Sequence, residues 1–368
     1  RVLMTSDSRV QYVEPGYLVY VLNGMLVAQP FDAGAGELTG DPIPLADSIG
    51  VSTVGLADFS ASHNGTLAYR AGRTGARRLV WFDRTGREVG QVGEPARFTT
   101  GWLSPDGKKV VVGAVEPEGS NTDLWIHDLD RGVASRFTFD AGWDGVPIWS
   151  PDGSRIVFSS GRGEGSDDIY WKDASGAGVA ELLLSAEEGI YPSDWSQDGS
   201  ILLYNLRSAE TGWDIWALPM DGSGEPFPIL QSEFVEVRPM FSPDGRWLAY
   251  NSNESGEMEV YVTSFPGPGG KWQVSTNGGS EPRWSHDGSE IFYLDATEDV
   301  VAVSVSIEGA FRASMPEKLF DPRLFPLAGR NRYLVTDDGD RFLMLSTVTG
   351  ESIRPISVVL NWHAGLEN

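Results

Sequence analysis

Residues that could hold a metal ion or act as nucleophiles are scarce in this sequence. Its 368 residues include four histidines, 52 acidic residues and no cysteine. The histidines, at His63, His127, His286 and His363, show no His-x-x-x-His spacing. Zinc sites need clustered histidine or cysteine ligands, and a thiol nucleophile or a disulfide needs cysteine. The sequence therefore predicts no metal site and no cofactor.

The sequence patterns of several catalytic centres are absent as well. An α/β-hydrolase needs Gly-x-Ser-x-Gly, and a protein kinase needs a Gly-rich loop, His-Arg-Asp and Asp-Phe-Gly; none of these occurs. The segment FSPDGRWLAY, at 241–250, misses by one residue the Ser-x-Asp-x-Gly-x-x-Trp box of sialidases. No pattern indicates the paired carboxylates, about 5–10 Å apart, of a glycosidase. We expect no catalysis within this chain, with a peptidase or glycosidase as the alternative.

Two acidic loops could supply oxygen ligands to calcium. They are EGSDD at 164–168 and DATED at 295–299. Neither matches the twelve-residue loop of an EF-hand. We interpret both as solvated loops and leave calcium binding open.

The overall charge excludes some classes of partner. There are 28 basic and 52 acidic residues, a net charge of −24. Such a charge repels phosphate backbones and anionic lipid surfaces. No apolar run approaches the roughly 18 residues of a membrane helix. The opening RVLMTSDSRV has no apolar leader segment, so we expect a fragment of a longer protein whose anchor, if any, lies outside this chain.

A four-residue pattern, Ser-x-Asp/Asn-Gly, recurs at regular intervals. Its spacing indicates the secondary structure of the chain. Its serines lie at 62, 104, 150, 196, 242 and 285, in steps of 42, 46, 46, 46 and 43 residues. A period of about 40–50 residues is typical of a four-stranded propeller blade. The segments between the patterns alternate apolar and polar residues, as in RIVFSS at 155–160 and DIYWKDA at 168–174. Helical periodicity is nearly absent.

The repeat predicts an all-β fold, a β-propeller of four-stranded antiparallel blades in one domain over residues 1–368. Turns are expected near residues 15, 64, 106, 152, 198, 244, 287 and 338, which gives eight blades. Two weaker copies, at 12–32 and 333–362, complete this count, and RVLMTSD could close the ring by adding a strand to the last copy. Seven blades, or two partial rings, are the alternatives.

The repeated pattern itself is predicted to be architecture. Asp-Gly supplies the positive φ that a tight turn between two strands requires, and the Ser and Asp side chains can bind nearby backbone N–H groups. The aromatic residue before the serine is expected to pack between neighbouring blades. The predicted structural turn residues are Asp106, Gly107, Asp152, Gly153, Asp198, Gly199, Asp244, Gly245, Asp287 and Gly288.

Recognition is expected at one mouth of the ring, where the first strand of each blade begins. The residues there differ from copy to copy while the surrounding frame repeats, as a recognition surface requires. The predicted binding residues are Trp102, Asp144, Tyr191, Arg238 and Glu281.

Longer phrases resemble a known family. WSPDGSRIVFSS and DDIYWKD, at 149–160 and 167–173, resemble the PD40 (WD40-like) repeat of TolB-type propellers. VYVTSFPGPGGKWQVSTNGGSEPRWSHDGSEIFYL at 260–294 and ISVVLNWHAGL at 356–366 resemble the C-terminal sensor region of bacterial serine/threonine protein kinases. The resemblance implies a non-catalytic, extracytoplasmic sensor that binds a protein, a peptide or a small ligand. A stand-alone periplasmic TolB-type interaction scaffold is the alternative. The kinase domain and a membrane helix would lie outside this chain.

Overall fold

The computed structural model describes most of the chain. It covers all residues except 1, 2, 5, 7, 23, 47, 48, 50–56, 71–75, 117–120, 164, 223, 268, 308, 325–330, 348–355, 367 and 368. The predicted all-β class is confirmed, because the one helix among these residues is a single 3-10 turn, Trp362–Gly365. Contacts divide the chain into two compact units, which are described separately. Unit 1 is Arg1–Ala76, Glu116–Ser120 and Thr347–Asn368, and unit 2 is Arg77–Val115 and Asn121–Ser346. The single domain over residues 1–368 stays a prediction.

Unit 1 contains two sheets. The first holds β1 (Gln11–Val13), β2 (Tyr17–Leu22), β3 (Met25–Asp32), β4 (Glu37–Leu38) and β5 (Ile43–Ala46), and the second holds β6 (Phe59–Ala61), β7 (Thr66–Tyr69) and β32 (Ser357–Leu360). Val19, Leu26, Leu67 and Trp362 are buried together in its core. The Gln11 amide exchanges two hydrogen bonds with the backbone of Ala61, at 2.5 and 3.2 Å.

The strands of unit 2 follow one another in short antiparallel hairpins. They are β8 (Arg77–Asp83), β9 (Glu88–Leu103), β10 (Lys109–Val115), β11 (Thr122–Asp128), β12 (Val133–Arg136), β13 (Asp144–Trp149), β14 (Arg155–Ser160), β15 (Asp168–Asp173), β16 (Glu181–Leu184), β17 (Ile190–Trp195), β18 (Ile201–Ser208), β19 (Gly212–Pro219), β20 (Phe227–Leu230), β21 (Glu236–Phe241), β22 (Trp247–Ser252), β23 (Glu259–Ser264), β24 (Lys271–Gln273), β25 (Gly279–Trp284), β26 (Glu290–Asp295), β27 (Val300–Ser306), β28 (Arg312–Ala313), β29 (Glu317–Phe320), β30 (Tyr333–Val335) and β31 (Arg341–Thr347).

These strands form six four-stranded sheets in the described part of unit 2. Sheet 1 is β30-β31-β8-β9, and sheet 2 is β9-β10-β11-β12, since β9 pairs with β8 up to Ala96 and with β10 from Arg97. Sheets 3, 4 and 5 are β13 to β16, β17 to β20 and β21 to β24. Sheet 6 is β25-β26-β27-β29, with β28 also paired to β27. The predicted four-stranded antiparallel sheets are thereby confirmed.

The first strands of the six sheets surround one axis. They touch in the order β9, β13, β17, β21 and β25, and β30 touches β9. The Tyr333 hydroxyl of β30 donates to the backbone carbonyl of Glu281 in β25, at 2.8 Å, so unit 2 is a closed ring. The predicted count of eight blades, which also needs the two weaker flanking copies, is not confirmed.

The sheet that contains the last strands of unit 2 is completed by strands from the start of unit 2. In the structure β31 lies between β30 and β8. Residues 1, 2, 5 and 7 of RVLMTSD lie outside the described residues, so the predicted pairing of this segment stays a prediction. The predicted last copy, 333–362, is divided, because β32 pairs with β7 in unit 1. The reason is packing: Leu343 and Leu345 of β31 are buried with Leu79 of β8 in one apolar core.

Each predicted turn lies between the first and second strand of its hairpin. In the corner after β13, the Ser150 hydroxyl donates to Asp152 at 2.6 Å, and the Arg155 N–H donates to Ser150 Oγ at 2.9 Å. Gly153 adopts φ +69°. The same Ser-to-Asp bond occurs in the corners that begin at Ser104, Ser196, Ser242 and Ser285, whose glycines have φ between +67° and +75°.

Candidate functional site

Bulges interrupt the first strands where they approach the axis. The register shifts between Gly145 and Ile148, between Val237 and Met240, and between Ser280 and Arg283. Three residues in these bulges, Val146, Arg238 and Glu281, have φ of +50° to +57°. Such a φ is costly for residues other than glycine, so neighbouring groups must hold it.

Two buried asparagines on second strands support these bulges. Asn205 Oδ1 accepts from the N–H of Arg238 at 3.1 Å, and Asn251 Oδ1 accepts from the N–H of Glu281 at 3.0 Å. Each asparagine lies nine residues after its corner serine, at the position that Ser159 occupies after Ser150. Neither asparagine was predicted from the sequence, although the constant distance of each from its corner serine was a usable signal.

A small cavity lies among the first strands of the sheets. Its volume is about 10 Å³, which is room for about one water molecule. Its lining is Val146, Pro192, Ser193, Arg238, Pro239, Met240, Arg283 and Asn331. Arg283 donates to the Pro282 carbonyl at 2.8 Å and to Asn331, and its guanidinium carbon is 5.5 Å from the ring centres of Trp102 and Tyr333. Arg283 was not among the predicted binding residues.

The axial cluster contains an ion-paired arginine, Arg332. Glu281 is fully buried and accepts from Arg332 at two atoms, Nε at 2.6 Å and the backbone N–H at 2.8 Å. Arg332 also pairs with Glu298 at 2.5 Å. Burial lowers the pKa of Arg238, and the neighbouring charges of Arg283 and Arg332 act in the same direction.

Asp194 is a further axial residue that the sequence analysis missed. It lies two residues before its corner serine, as Arg283 and Trp102 do. Its Oδ2 accepts from the Phe241 N–H of the next sheet at 2.7 Å. Although part of the residue is accessible, burial of the carboxylate raises its pKa to about 7.

The five predicted binding residues occupy different environments. Trp102 lies at the end of its strand that leads into the Ser-x-Asp-Gly corner, and it contacts Arg283. The other four residues lie nearer the beginnings of their strands. Asp144 is fully buried and accepts from Arg162 at 2.8 and 2.9 Å. The Tyr191 hydroxyl donates to Asp167 at 2.8 Å.

Trp102, Arg238 and Glu281 thus belong to the axial cluster, and Asp144 and Tyr191 bind neighbouring loop residues. Trp102, Tyr191 and Arg238 remain half-buried. The role of all five in recognition stays a prediction.

The potential metal ligands are dispersed. Among the described residues, no three His, Asp or Glu side chains are grouped so that they could hold a metal ion. His63 and His286 are exposed at corner positions, and burial lowers the pKa of His127. In the DATED loop, Asp299 binds Thr297 and Lys318. Glu164 of the other acidic loop lies outside the described residues.

A larger groove lies between the corners of sheets 3 and 4. Its volume is about 370 Å³, and it is lined by Ser150, Pro151, Asp152, Ser154, Arg155, Trp195, Gln197, Asp198 and Gly199. The sequence analysis assigned the aspartates and glycines of these corners to turns alone. Hydrogen bonds from the Ser150 and Ser196 side chains lower the pKa of Asp152 and of Asp198 to about 2, so both groove carboxylates are ionised at neutral pH.

Trp195, beside this groove, is oriented differently from the tryptophans at the same place in other copies of the repeat. The indole N–H groups of Trp149 and Trp284 donate to main-chain carbonyls of the preceding sheet, those of Trp102 and Met240, both at 3.2 Å. Trp195, at the same place in its copy, donates instead to Gly199 of its own corner at 3.0 Å. Its indole therefore forms a wall of the groove.

Part of the chain is similar to a known protein family. Residues 61–225 match the family model described as PD40, TolB beta propeller domain. The TolB-type protein of Agrobacterium tumefaciens is 22% identical, with a TM-score of 0.56 over 73% of this chain and 97% of that one. TolB from Acinetobacter baumannii is 16% identical, with a TM-score of 0.52 over 85% of this chain and 79% of that one.

Other comparisons add little. An oligogalacturonate lyase from Vibrio parahaemolyticus is 13% identical, with a TM-score of 0.47 over 82% of this chain and 81% of that one. No curated protein sequence matches the chain significantly. No helix in the described ranges is long and apolar enough to cross a membrane. Residues 61–225 are thus similar to the PD40, TolB-type β-propeller family, and the ring of four-stranded sheets agrees with this likeness.

Proposed function

We propose that this chain is a non-catalytic interaction module that binds a protein or peptide partner in the groove between sheets 3 and 4. The groove carries the proposal, because its 370 Å³ lies within the roughly 300–1,000 Å³ of ligand-binding clefts. The axial cavity, at about 10 Å³, is too small for such a ligand. Trp195 supplies the kind of aromatic surface on which binding energy concentrates.

The charge of the chain favours a basic partner segment. Asp152 and Asp198 line the groove in ionised form, and the net charge is −24. Long-range attraction raises the association rate with a positively charged partner. Arg155 also lines the groove, but its guanidinium carbon lies 4.1 Å from the centre of the Trp171 ring, so its charge is held against the sheet.

The groove lacks the groups of a serine-hydrolase centre. The hydroxyls of Ser150 and Ser154 donate to Asp152, and the residues that line the groove include no histidine. A serine nucleophile needs a base within hydrogen-bond reach. The alternative of a propeller hydrolase is addressed by a screen with esterase, peptidase and glycosidase substrates, in which we expect no turnover that a point variant abolishes.

The parent protein is proposed to be an extracytoplasmic sensor. The resemblance of 260–294 and 356–366 to kinase sensor regions supports a receptor-type serine/threonine kinase. The match to a TolB propeller domain supports the alternative, a stand-alone periplasmic interaction scaffold. The full open reading frame distinguishes them, because only the first requires a kinase domain and a membrane helix.

Binding in the groove is tested with a displayed peptide library. Peptides selected on the wild-type chain should be rich in lysine and arginine, and Trp195→Ala should weaken their binding at least tenfold. Trp284→Ala is the matched control, since Trp284 has the same place in its copy and lies outside the groove. Selected peptides that bind Trp195→Ala as tightly as the wild type would reject the groove.

A second arm tests the other predicted surface, the mouth of the ring. There Arg238→Ala and Tyr191→Phe should leave the binding of the selected peptides unchanged. A loss of peptide binding confined to these two variants would place the binding site at the mouth of the ring instead of in the groove.

A further inference from the structure

Most buried carboxylates of unit 2 have a basic partner. The pairs are Asp123 with Arg136, Asp144 with Arg162, Glu281 with Arg332, and Asp299 with Lys318. Among the described residues Glu259 has no basic partner, but both of its oxygens accept hydrogen bonds, from Ser275 and from the Gly278 N–H. A buried charge is tolerated only when it is paired or hydrogen-bonded.

Asp214 and Glu236 depart from this arrangement. Asp214 is 0% exposed and Glu236 is 5% exposed. Asp214 Oδ2 accepts from Thr211 at 2.6 Å, and Glu236 Oε1 accepts from Ser232 at 2.5 Å. The other two oxygens, Asp214 Oδ1 and Glu236 Oε2, are buried without a hydrogen-bond donor, and no Lys, Arg or His in the described part of the chain forms an ion pair with either carboxylate.

The two carboxylates lie in one place in the fold. Asp214 is on β19 of sheet 4, and Glu236 begins β21 of sheet 5. The amide of Asn205 donates to the backbone carbonyls of both residues, at 3.2 and 3.3 Å. Burial raises the pKa of Glu236, and the nearby charges of Asp214 and Glu254 add to this effect. Glu254 itself pairs with Lys271.

The surrounding side chains are the kind that bind a hard cation. Thr211 and Ser232 supply hydroxyl oxygens beside the two carboxylates, and the Gln231 amide nitrogen donates to Asp214 Oδ2 at 3.4 Å. Calcium takes six to eight oxygen ligands in flexible geometry, whereas magnesium requires near-ideal octahedral geometry. Two carboxylates would neutralise a divalent ion.

We propose that Asp214 and Glu236 bind one calcium ion at the junction of sheets 4 and 5. Asp214 Oδ1 and Glu236 Oε2, the two oxygens that lack a donor, coordinate the ion. The ion thereby joins strand β19 to the start of β21. This site is separate from both acidic loops that the sequence suggested.

The wild-type chain provides the first test. After treatment with a chelator, equilibrium dialysis against CaCl2 should show one calcium ion bound per chain. At a free concentration of about 100 times Kd, the melting temperature should rise by about 5 °C or more, and the same concentration of MgCl2 should raise it less. Absence of bound calcium at millimolar CaCl2, with an unchanged melting temperature, would overturn the proposal.

Variants then locate the ion. Asp214→Asn and Glu236→Gln should each weaken calcium binding at least tenfold, as measured by dialysis and by terbium luminescence. Asp144→Asn is the matched control, since this buried carboxylate has its own arginine, and it should leave calcium affinity unchanged. If the wild type binds no calcium and Glu236→Gln melts at a higher temperature than the wild type, the pair shares a proton instead, and the calcium site is rejected. The peptide-library experiment is independent of this result.

Discussion

At the scale of single residues, buried charges are held by specific partners. Asp144 and Glu281 were selected from the sequence because they vary between copies, yet both are fully buried against arginines. Removing one partner of a buried ion pair leaves the other charge without compensation. Variation between copies therefore did not distinguish exposed side chains from buried ones.

Glu281→Ala should strongly destabilise unit 2. It removes the buried partner of Arg332, which is itself mostly buried and keeps only the partly exposed Glu298, and the expected loss in the free energy of unfolding is about 3–5 kcal/mol. Urea unfolding at neutral pH measures it. The control is Arg87→Ala, in a pair whose arginine is 77% exposed, with an expected loss below about 1 kcal/mol. Equal losses in the two variants would show that the buried pair has no special role.

Asp194 should make stability depend on pH. Its pKa in the folded chain is about 7, against an ordinary value of 3.8. Because the folded state favours the protonated acid, this contribution is fully present below about pH 4 and is lost as the pH rises through 7. Asp194→Asn cannot ionise and keeps an acceptor for the Phe241 N–H. Between pH 4 and pH 8 the wild type should therefore lose about 1 kcal/mol or more relative to the variant.

The free energy of unfolding at several pH values tests this expectation for Asp194. Asp130→Asn, at an exposed turn, serves as the control and should not change the pH profile. Parallel profiles for the wild type and Asp194→Asn would contradict it.

At the scale of elements, the corner is a self-contained structure. Within six residues, the Ser150 hydroxyl, the Asp152 carboxylate and the Arg155 N–H satisfy one another. Gly153 completes the turn with its positive φ. A unit that satisfies its own polar groups can recur at each sheet whatever lies beside it, and this is why the corners are so regular.

Gly153→Val should destabilise through the backbone alone. A Cβ at this position would lie 3.8 Å from Pro105 Cδ, an ordinary contact, so crowding is not the cause. A β-branched residue at φ +69° is expected to cost about 1–3 kcal/mol. Chemical denaturation measures the loss. Gly153→Asn is the matched control, because asparagine tolerates a left-handed conformation, and a loss as large as that of valine would refute this explanation.

At the scale of the whole molecule, unit 2 is closed by strands distant in sequence. Sheet 1 joins β30 and β31 to β8 and β9. Closure of this kind leaves no unpaired edge between the first and last sheets. Strand β31, which pairs with β8, should therefore contribute to stability as much as a strand in a sheet whose four strands follow one another in the sequence.

Leu343→Ala in β31, the strand that pairs with β8 in sheet 1, should cost about 2–5 kcal/mol, the usual range for a fully buried leucine. Leu343 is 0% exposed and packs with Leu79, Leu334 and Leu345. The loss is measured by urea unfolding followed by tryptophan fluorescence. Leu360→Ala, at a residue that is 71% exposed in β32, is the control and should change stability by less than about 0.5 kcal/mol. A similarly small change for Leu343→Ala would contradict the closure.

The sequence by itself determined the repeated unit, its corners and the all-β class. Each of these depends on interactions within a few residues, such as Ser150 with Asp152, and therefore leaves a pattern at short spacing. Only the tertiary structure decided which strand closes the ring, how Trp195 is oriented, and which buried acids have a base. Those outcomes depend on residues far apart in the chain, as Leu79 and Leu343 are, and packing between such residues has no fixed spacing in the sequence.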